Sequence, residues 1–308
     1  MCVKPFTPEY DRCVSQLAHY TRLIASGDAP AITWLYRGGC LQNMRDLRGA
    51  TRDYERALAR AAELTPAQLA QVYDSRGVSR RQIDDLAGAI ADGEQAVAYH
   101  PQHARYYSNL GQARARAGDL VGAIADFNRA IALDATEDWA TGYRGHCQQQ
   151  LGHHEQAIAD FSHLIDLSPL ASYQLLLNRA YSHMMLDHFG EAIADCDTAA
   201  RRAEAEDYRI YLVRGYCCFR LGDLPTALGD FARGISLNRD LGELHLYRGL
   251  VYRAIGDETA AADDLAEFVA LHSGGAAKAI QEIAYAAEAL SPIPAMMPSA
   301  TLAPALAD

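Results

Sequence analysis

The chain has 308 residues, 50% of them hydrophobic, and its 28 basic and 39 acidic residues give a formal net charge of −11 at pH 7. An acidic balance of this size argues against binding to nucleic acid or to an anionic membrane surface. No run of 18 apolar residues occurs, so the sequence predicts no membrane-spanning segment.

The first residues and the cysteines indicate a cytoplasmic protein. The start, Met1 to Pro5, contains no apolar stretch of the kind that a secretory signal peptide needs. The chain has 7 cysteines, an odd number, and no Cys-x-x-Cys spacing. We therefore expect reduced thiols rather than a disulfide framework.

The first predicted element is a single helix over residues 8 to 26, within an N-terminal segment of residues 1 to 30. Thr7 provides a capping side chain, and Pro8 fits the first helical turn, where a missing N–H leaves no hydrogen bond unmade. Because this helix has no partner helix of its own, we expect it to cap the elements that follow.

From residue 31 onward the chain repeats itself with a period of about 34 residues. The string Tyr-Arg-Gly or a close variant marks five of the copies, at Tyr36–Gly38, Ser75–Gly77, Tyr143–Gly145, Val213–Gly215 and Tyr247–Gly249. An alanine follows twelve residues after each of these glycines. A period of this length predicts a solenoid, in which each repeat buries its apolar face against its neighbours.

Seven repeats can be aligned when the glycine of this string is placed at position 8. They end at residue 272 and begin at Ala31, Ala70, Ala104, Asp138, Tyr173, Tyr208 and Gly242. Small residues recur at positions 8, 20 and 27, where two helices must cross closely, and large residues recur at positions 4 and 24. Glycine at position 15, as in Gly118 and Gly222, predicts a turn with positive φ between the two helices of a repeat.

This pattern resembles the tetratricopeptide repeat over roughly residues 31 to 272. The resemblance implies an all-α fold, a right-handed α-α superhelical solenoid of about seven helix pairs with capping helices. Some positions depart from the pattern. Gly93 replaces the aromatic residue at position 24 of the second repeat, and Cys196 and Leu265 do so in the fifth and seventh.

Acidic and basic residues recur at two fixed positions of the repeat. Position 7 is arginine in six repeats, with Leu110 as the exception, and position 23 is aspartate in all seven: Asp53, Asp92, Asp126, Asp160, Asp195, Asp230 and Asp264. An active site is needed only once, whereas this pair recurs along the chain. We therefore interpret it as a structural ion pair between the two helices of a repeat.

The end of the chain is predicted to differ from the repeats. Residues 273 to 290 place Ile280, Ile283, Ala287 and Leu290 on one face of a C-terminal capping helix. Residues 291 to 308 are rich in proline and alanine and are expected to be disordered. Two arrangements of this tail remain open, free in solution or folded back into the groove of the repeats.

In tetratricopeptide proteins the first helix of each repeat lines the concave face, mainly through positions 2, 5, 6, 9, 12 and 13. The resemblance therefore implies a peptide-binding groove lined by Arg105, Asn109, Gln112, Arg116, Trp139, Tyr143, His146, Gln149, Asn178, Tyr181, Arg209, Tyr216, Phe219 and Arg220. Amides, aromatic rings and arginines suit an extended peptide, and the arginines favour a partner segment with negative charge. The competing interpretation is that some of these residues only pack between adjacent first helices.

Other residue clusters indicate neither a metal nor a cofactor. His153 and His154 fall in a predicted turn, where adjacent side chains diverge, so we expect a solvated pair rather than a metal site. Cys217 and Cys218 are interpreted as packing residues. Asn109 and Asn178 lack the neighbouring lysines of the chaperone-binding branch of the family, so a chaperone clamp is not expected.

The leading hypothesis is a non-enzymatic scaffold that binds a peptide or protein segment in the groove. The alternative is a regulatory sensor whose superhelix closes around a small ligand or a signalling peptide, and an enzyme is the least favoured class. Self-association is also open, because the ends and exposed faces of solenoids can pair.

Overall fold

A computed structural model describes residues 8–168 and 172–272, together with Gly275, Lys278 and Ile283. Every regular element in these ranges is helical, which confirms the predicted all-α class. The helices are α1 (Pro8–Ala25), α2 (Ala31–Asn43), α3 (Leu47–Leu58), α4 (Pro66–Gln82), α5 (Leu86–Tyr99), α6 (Ala104–Arg116), α7 (Leu120–Leu133), α8 (Asp138–Gln150), α9 (His154–Leu167), α10 (Tyr173–Met185), α11 (Phe189–Arg202), α12 (Tyr208–Arg220), α13 (Leu224–Leu237), α14 (Gly242–Ile255) and α15 (Glu258–Leu271). A short 3₁₀ turn, Ala61–Glu63, precedes α4.

The helices group into two compact bodies that divide between Cys147 and Gln148. Within the N-terminal body each helix from α1 to α7 packs on the next one in sequence, and the first helices α2, α4 and α6 also contact one another. The C-terminal body repeats this arrangement from α9 to α15, with contacts among α10, α12 and α14. In each body the first helices of successive pairs therefore share one face.

The expected ends of the helical array are only partly described. The helix α1 packs against α2. The helix α4 begins at Pro66, ahead of the expected start at Ala70, because Thr65 and Gln68 form a capping box and proline occupies the first turn. The predicted helix of residues 273 to 290 and the tail of residues 291 to 308 lie outside the described residues.

Glycine and aspartate form the turns between the two helices of a pair. Gly118, Gly222 and Gly256 have φ angles of 88°, 82° and 84°, as predicted for position 15. The aspartate that follows caps the second helix, as Asp119 does by accepting a hydrogen bond from the Gly122 N–H at 2.9 Å.

Close helix crossings depend on glycine at position 8. A Cβ atom added at Gly111 would lie 2.8 Å from the Phe127 ring, and one at Gly38 would lie 2.6 Å from the Tyr54 ring. Both rings are fully buried, so neither crossing has room for a side chain on the facing helix. This confirms the packing role predicted for positions 8 and 24.

The residues at two departures from the repeat pattern, Gly93 and Leu110, pack against each other. A Cβ atom added at Gly93 would lie 2.9 Å from Leu110 Cδ1. Leu110, which is 2% exposed, thus fills the space that an aromatic side chain at residue 93 would otherwise occupy. Leu110 stands at position 7 of its repeat, where the other repeats have arginine, and its side chain packs against the preceding helix pair.

The predicted ion pairs between positions 7 and 23 are confirmed in five repeats. In each of them the guanidinium Nε and Nη2 donate to the two oxygens of one buried carboxylate, in the pairs Arg37–Asp53, Arg76–Asp92, Arg179–Asp195, Arg214–Asp230 and Arg248–Asp264.

Where Leu110 stands, Asp126 instead accepts a hydrogen bond from Arg114 Nη1 at 2.5 Å. Burial outweighs this arginine and raises the pKa of Asp126 to about 6. These ion pairs join the two helices of the repeats in which they occur and form part of the architecture.

Candidate functional site

The first helices of the N-terminal body carry a polar surface on α4, α6 and the part of α8 up to Cys147, which we call the α4–α6–α8 face. On this face Asn109 Nδ2 donates a hydrogen bond to Asp74 Oδ1 at 2.8 Å. Tyr143 stacks on Phe127 with 5.9 Å between ring centroids and 14° between ring planes, which fixes the phenol at the surface of α8. Tyr143 and Asp74 both lie close to Arg81 of α4, which places Asn109 and Tyr143 on one surface.

Asp74 is half-buried on this face. Burial raises the pKa of Asp74 to about 6, while the hydrogen bond from Asn109 and the charges of Arg105 and Arg81 oppose the rise. Sequence reasoning missed Asp74 because the lining residues were taken only from the third repeat onward. Position 5 of the second repeat, counted in the same frame, identifies it.

Arg81, at position 12 of the second repeat, was missed for the same reason. Its Nε is shielded from solvent and has no hydrogen-bond partner among the described residues. Burial lowers the pKa of Arg81, and the positive charge of Arg116 lowers it further. Tyr143 and Asp74 also lie close enough to influence this pKa.

Of the remaining predicted residues of this face, Arg116 contacts Arg81 and Arg105 lies close to Asp74. Arg116 donates from Nη1 to the Arg81 carbonyl at 2.6 Å and from Nη2 to Asp84 at 2.9 Å. Arg105 and Trp139 are exposed and Gln112 is half-buried. Burial lowers the pKa of His146 to about 4, so this imidazole is neutral at pH 7.

The predicted residues of the C-terminal body lie in a more closed environment. Tyr181 is 6% exposed, Asn178 5% and Tyr216 1%. These three residues were predicted to line a groove, and in the structure they are buried between helices. The Tyr216 ring lies 5.2 Å from the Tyr247 ring on the next first helix, and the two rings cover each other.

The polar groups nearby are also engaged within the C-terminal body. Gln149 Nε2 donates to the Asn178 carbonyl and to Ser182 Oγ, both at 2.8 Å. Arg220 donates to the Tyr216 hydroxyl at 2.8 Å and lies 4.7 Å from the centre of the half-buried Phe189 ring.

Arg209 forms a pair of hydrogen bonds with Asp207, and Phe219 is half-buried against the same core. In this body Asn178, Tyr181 and Tyr216 are therefore buried, while Gln149, Arg209, Phe219 and Arg220 are half-buried.

Neither metal nor thiol chemistry is indicated by the described residues. No group of three or more potential metal ligands occurs among them. Burial raises the pKa of Cys147 and of Cys217 to about 12, which leaves both thiols protonated at pH 7. His154 was expected in a solvated turn, but it is 8% exposed, because the ring packs 6.2 Å from the Tyr181 ring.

Helix pairs that cross at glycine, joined by Gly-Asp turns and internal ion pairs, define a helical repeat protein. Tetratricopeptide repeat models match residues 75–138, 177–241 and 144–169, which together make up half of the chain. The chain belongs to the tetratricopeptide repeat family. Proteins of this family act in general as scaffolds for protein interactions rather than as catalysts.

Solved structures agree with this assignment at the level of the fold. A tetratricopeptide repeat protein from Parabacteroides merdae is 18% identical, with a TM-score of 0.60 over 84% of this chain and 99% of that one. The pilF protein of Pseudomonas aeruginosa is 16% identical, with a TM-score of 0.59 over 72% of this chain and 97% of that one.

A third structure is that of YrrB, described as a TPR protein with an unusual peptide-binding site. It is 17% identical, with a TM-score of 0.51 over 62% of this chain and 96% of that one. A sequence search of curated proteins finds no match. Among the described residues, no helix combines the length and the apolar character needed to cross a membrane.

Proposed function

We propose that this protein is a non-enzymatic scaffold that binds an extended peptide or protein segment on the α4–α6–α8 face. The observation that carries the proposal is the contrast between the two bodies. At equivalent repeat positions, Asn178 and Tyr216 of the C-terminal body are buried, whereas Asn109 and His146 of the N-terminal body are half-buried. Arg105 and Trp139 are exposed on the same face of the N-terminal body. Exposed aromatic and arginine side chains are frequent anchors of protein interfaces.

The chemistry of this face suits a peptide backbone. The amides of Asn109 and Gln112 can both donate and accept hydrogen bonds, which matches the alternating N–H and C=O groups of an extended chain. Neutral His146 and the phenol of Tyr143 add polar contacts without adding charge. YrrB, whose structure is described as having a peptide-binding site, shares the fold and lends this proposal support by analogy.

The proposal also includes a cytoplasmic location. The six described cysteines, Cys13, Cys40, Cys147, Cys196, Cys217 and Cys218, are free and buried. Unpaired thiols in this number suit a reducing compartment.

The test is a selection of random peptides displayed on phage against the purified full chain, followed by fluorescence anisotropy with synthetic peptides. The double variant Asn109→Ala/Tyr143→Ala removes one amide and one phenol from the face. The matched control, Gln95→Ala/Tyr99→Ala, removes the same two kinds of side chain from exposed positions of α5.

The expected result is that the face variant loses at least about tenfold in affinity while the control binds like wild type. Equal binding by both variants, with both folded by circular dichroism, would place the binding site on another surface. Failure to select any peptide would refute the proposal.

A further inference from the structure

Charge is divided unequally between the two parts of the chain. Residues 1–147 include 17 basic and 17 acidic residues, whereas residues 148–308 include 11 basic and 22 acidic residues. The formal net charge of −11 therefore belongs to the second part. Two C-terminal bodies repel each other, whereas the N-terminal body of one copy can approach the C-terminal body of another without this repulsion.

Two exposed positions of the second helix carry opposite charges in the first and the last repeat. Position 22 is Arg52 on α3 and Asp263 on α15, and position 26 is Arg56 on α3 and Glu267 on α15. All four residues are exposed. In the five repeats between them, position 22 is always small and uncharged: Ala91, Ala125, Ala159, Ala194 and Gly229. Charge at this position is thus confined to the two terminal repeats, positive in the first and negative in the last.

On α3 the positive charges form a stripe along one side of the helix. Arg48, Arg52 and Arg56 follow one another at intervals of four residues. The two acidic residues of α3 are engaged elsewhere, because Asp53 is buried in ion pairs and Glu55 lies 3.6 Å from an arginine of α4. Among the described residues, neither Arg48 nor Arg52 has a carboxylate oxygen within 4.0 Å. We call Arg48, Arg52 and Arg56 the arginine stripe.

On α15 the exposed negative charge is likewise unpaired. The helix contains no basic residue, and Asp263 and Glu267 lie one turn apart on the same side. Within the described part of the chain, no basic nitrogen lies within 4.0 Å of either carboxylate. Their exposed neighbours Ala262 and Ala266 are small, so a helix that approaches this side meets no bulky side chain.

We propose that the protein associates head to tail, with the arginine stripe of α3 in one copy bound to the acidic side of α15 in another. Arg48 and Arg52 have the same spacing as Asp263 and Glu267, so two guanidinium–carboxylate pairs can form at once. Because the two surfaces differ, the contact is heterologous and each copy can take part in two such contacts. The contact uses neither α4, α6 nor α8 and is therefore independent of the proposed peptide binding.

The first experiment is sedimentation velocity of the full chain over a range of protein concentrations at low salt, where exposed charges attract most strongly. Wild type is expected to sediment faster as its concentration rises. The increase should disappear at about 1 M NaCl, where the Debye length is only about 3 Å. A chain that sediments as a monomer at every concentration would overturn the proposal, the exposed charges then serving solubility alone.

Two charge reversals test which helices meet. Arg48→Glu/Arg52→Glu and Asp263→Arg/Glu267→Arg should each weaken self-association by at least about tenfold, because each replaces attraction with repulsion. An equimolar mixture of the two variants should associate again, because each variant then meets the opposite charge on its partner.

The matched control, Arg12→Glu/Arg22→Glu, changes the net charge as much as the α3 variant does, at exposed positions of α1. It should associate like wild type. Equal weakening by this control and by Arg48→Glu/Arg52→Glu would mean that net charge alone governs association, and a mixture that stays monomeric would mean that α3 and α15 do not meet. Either result overturns the proposal. Circular dichroism checks the fold of each variant, and the α15 variant maintains the test if the α3 variant does not fold.

Discussion

Replacing Arg76 with leucine tests whether a second arginine stabilises the buried aspartate when the ion pair between the helices is lost. Leucine is the residue that the chain itself has at the equivalent position, Leu110. In the structure Arg76 donates to both oxygens of Asp92 at 2.9 and 2.6 Å. Arg80, one helical turn later, donates to Asp92 Oδ2 at 3.0 Å. The Asp92 side chain is 3% exposed, so without a partner it would be a buried, uncompensated charge.

The magnitude follows from what remains around Asp92 after each substitution. With Arg80 still present, Arg76→Leu loses hydrogen bonds to a charged group and should cost about 1.5–3 kcal/mol. Arg80→Leu alone should cost about 1 kcal/mol, since the paired hydrogen bonds from Arg76 persist. Removing both arginines leaves the carboxylate unpaired and should cost about 3–5 kcal/mol.

Native-state hydrogen exchange, read by mass spectrometry on α4 and α5, is the suitable assay because repeat proteins open locally. Arg214→Leu is the comparison, because Cys218 stands where Arg80 would be and leaves Asp230 without a second arginine there. It should therefore cost about 3–5 kcal/mol in α12 and α13 by itself. If Arg76→Leu alone cost as much as the double substitution, Arg80 would have no compensating role and the reasoning would be refuted.

Three further predictions concern the N-terminal body. Gly111→Ala should cost about 1–2 kcal/mol, because its Cβ meets the Phe127 ring at 2.8 Å, whereas Gly39→Ala, with nothing within 4 Å, should be neutral or stabilising in the same thermal melts. Asp74→Asn should reduce the loss of thermal stability that occurs as the pH rises from about 4 to 6. The folded protein keeps this proton to about pH 6 and the unfolded chain releases it near pH 4, so stability falls as pH rises through that window and the asparagine cannot titrate. Asp119→Ala should lower the free energy of unfolding by about 1 kcal/mol, since it removes the hydrogen bond that caps the Gly122 N–H. Hydrogen exchange at the start of α7 should become faster, and unchanged exchange there would contradict the capping role.

The fold could be predicted from the sequence because its determinants are local and repeated. A glycine such as Gly111 and the facing aromatic residue recur at fixed spacing, and their contact depends only on the two helices of one pair. The connection between Gly93 and Leu110 could not be predicted in this way. It joins the second helix of one pair to the first helix of the next, so the sequence shows two separate departures where the structure shows one contact.

The candidate site could be predicted only in part, because burial at one repeat position depends on its neighbours. Position 9 is His146 in one repeat and Tyr216 in another, and only the tyrosine is fully buried, because the Tyr247 ring covers it. A half-buried residue and a fully buried packing residue thus occupy equivalent positions. Asp74 and Arg81, in contrast, were within reach of sequence reasoning, since extending the same frame by one repeat identifies both.

The buried cysteines can report on local opening of the helices that enclose them. Cys40 lies in the N-terminal body and Cys217 in the C-terminal body, and both are enclosed by helices. Burial raises the pKa of both thiols, so they stay protonated and unreactive while the helices are closed. A thiol-specific reagent can modify them only when the surrounding helices separate. Timed alkylation of the unmodified chain would therefore give the opening rate of each body separately, without an introduced label.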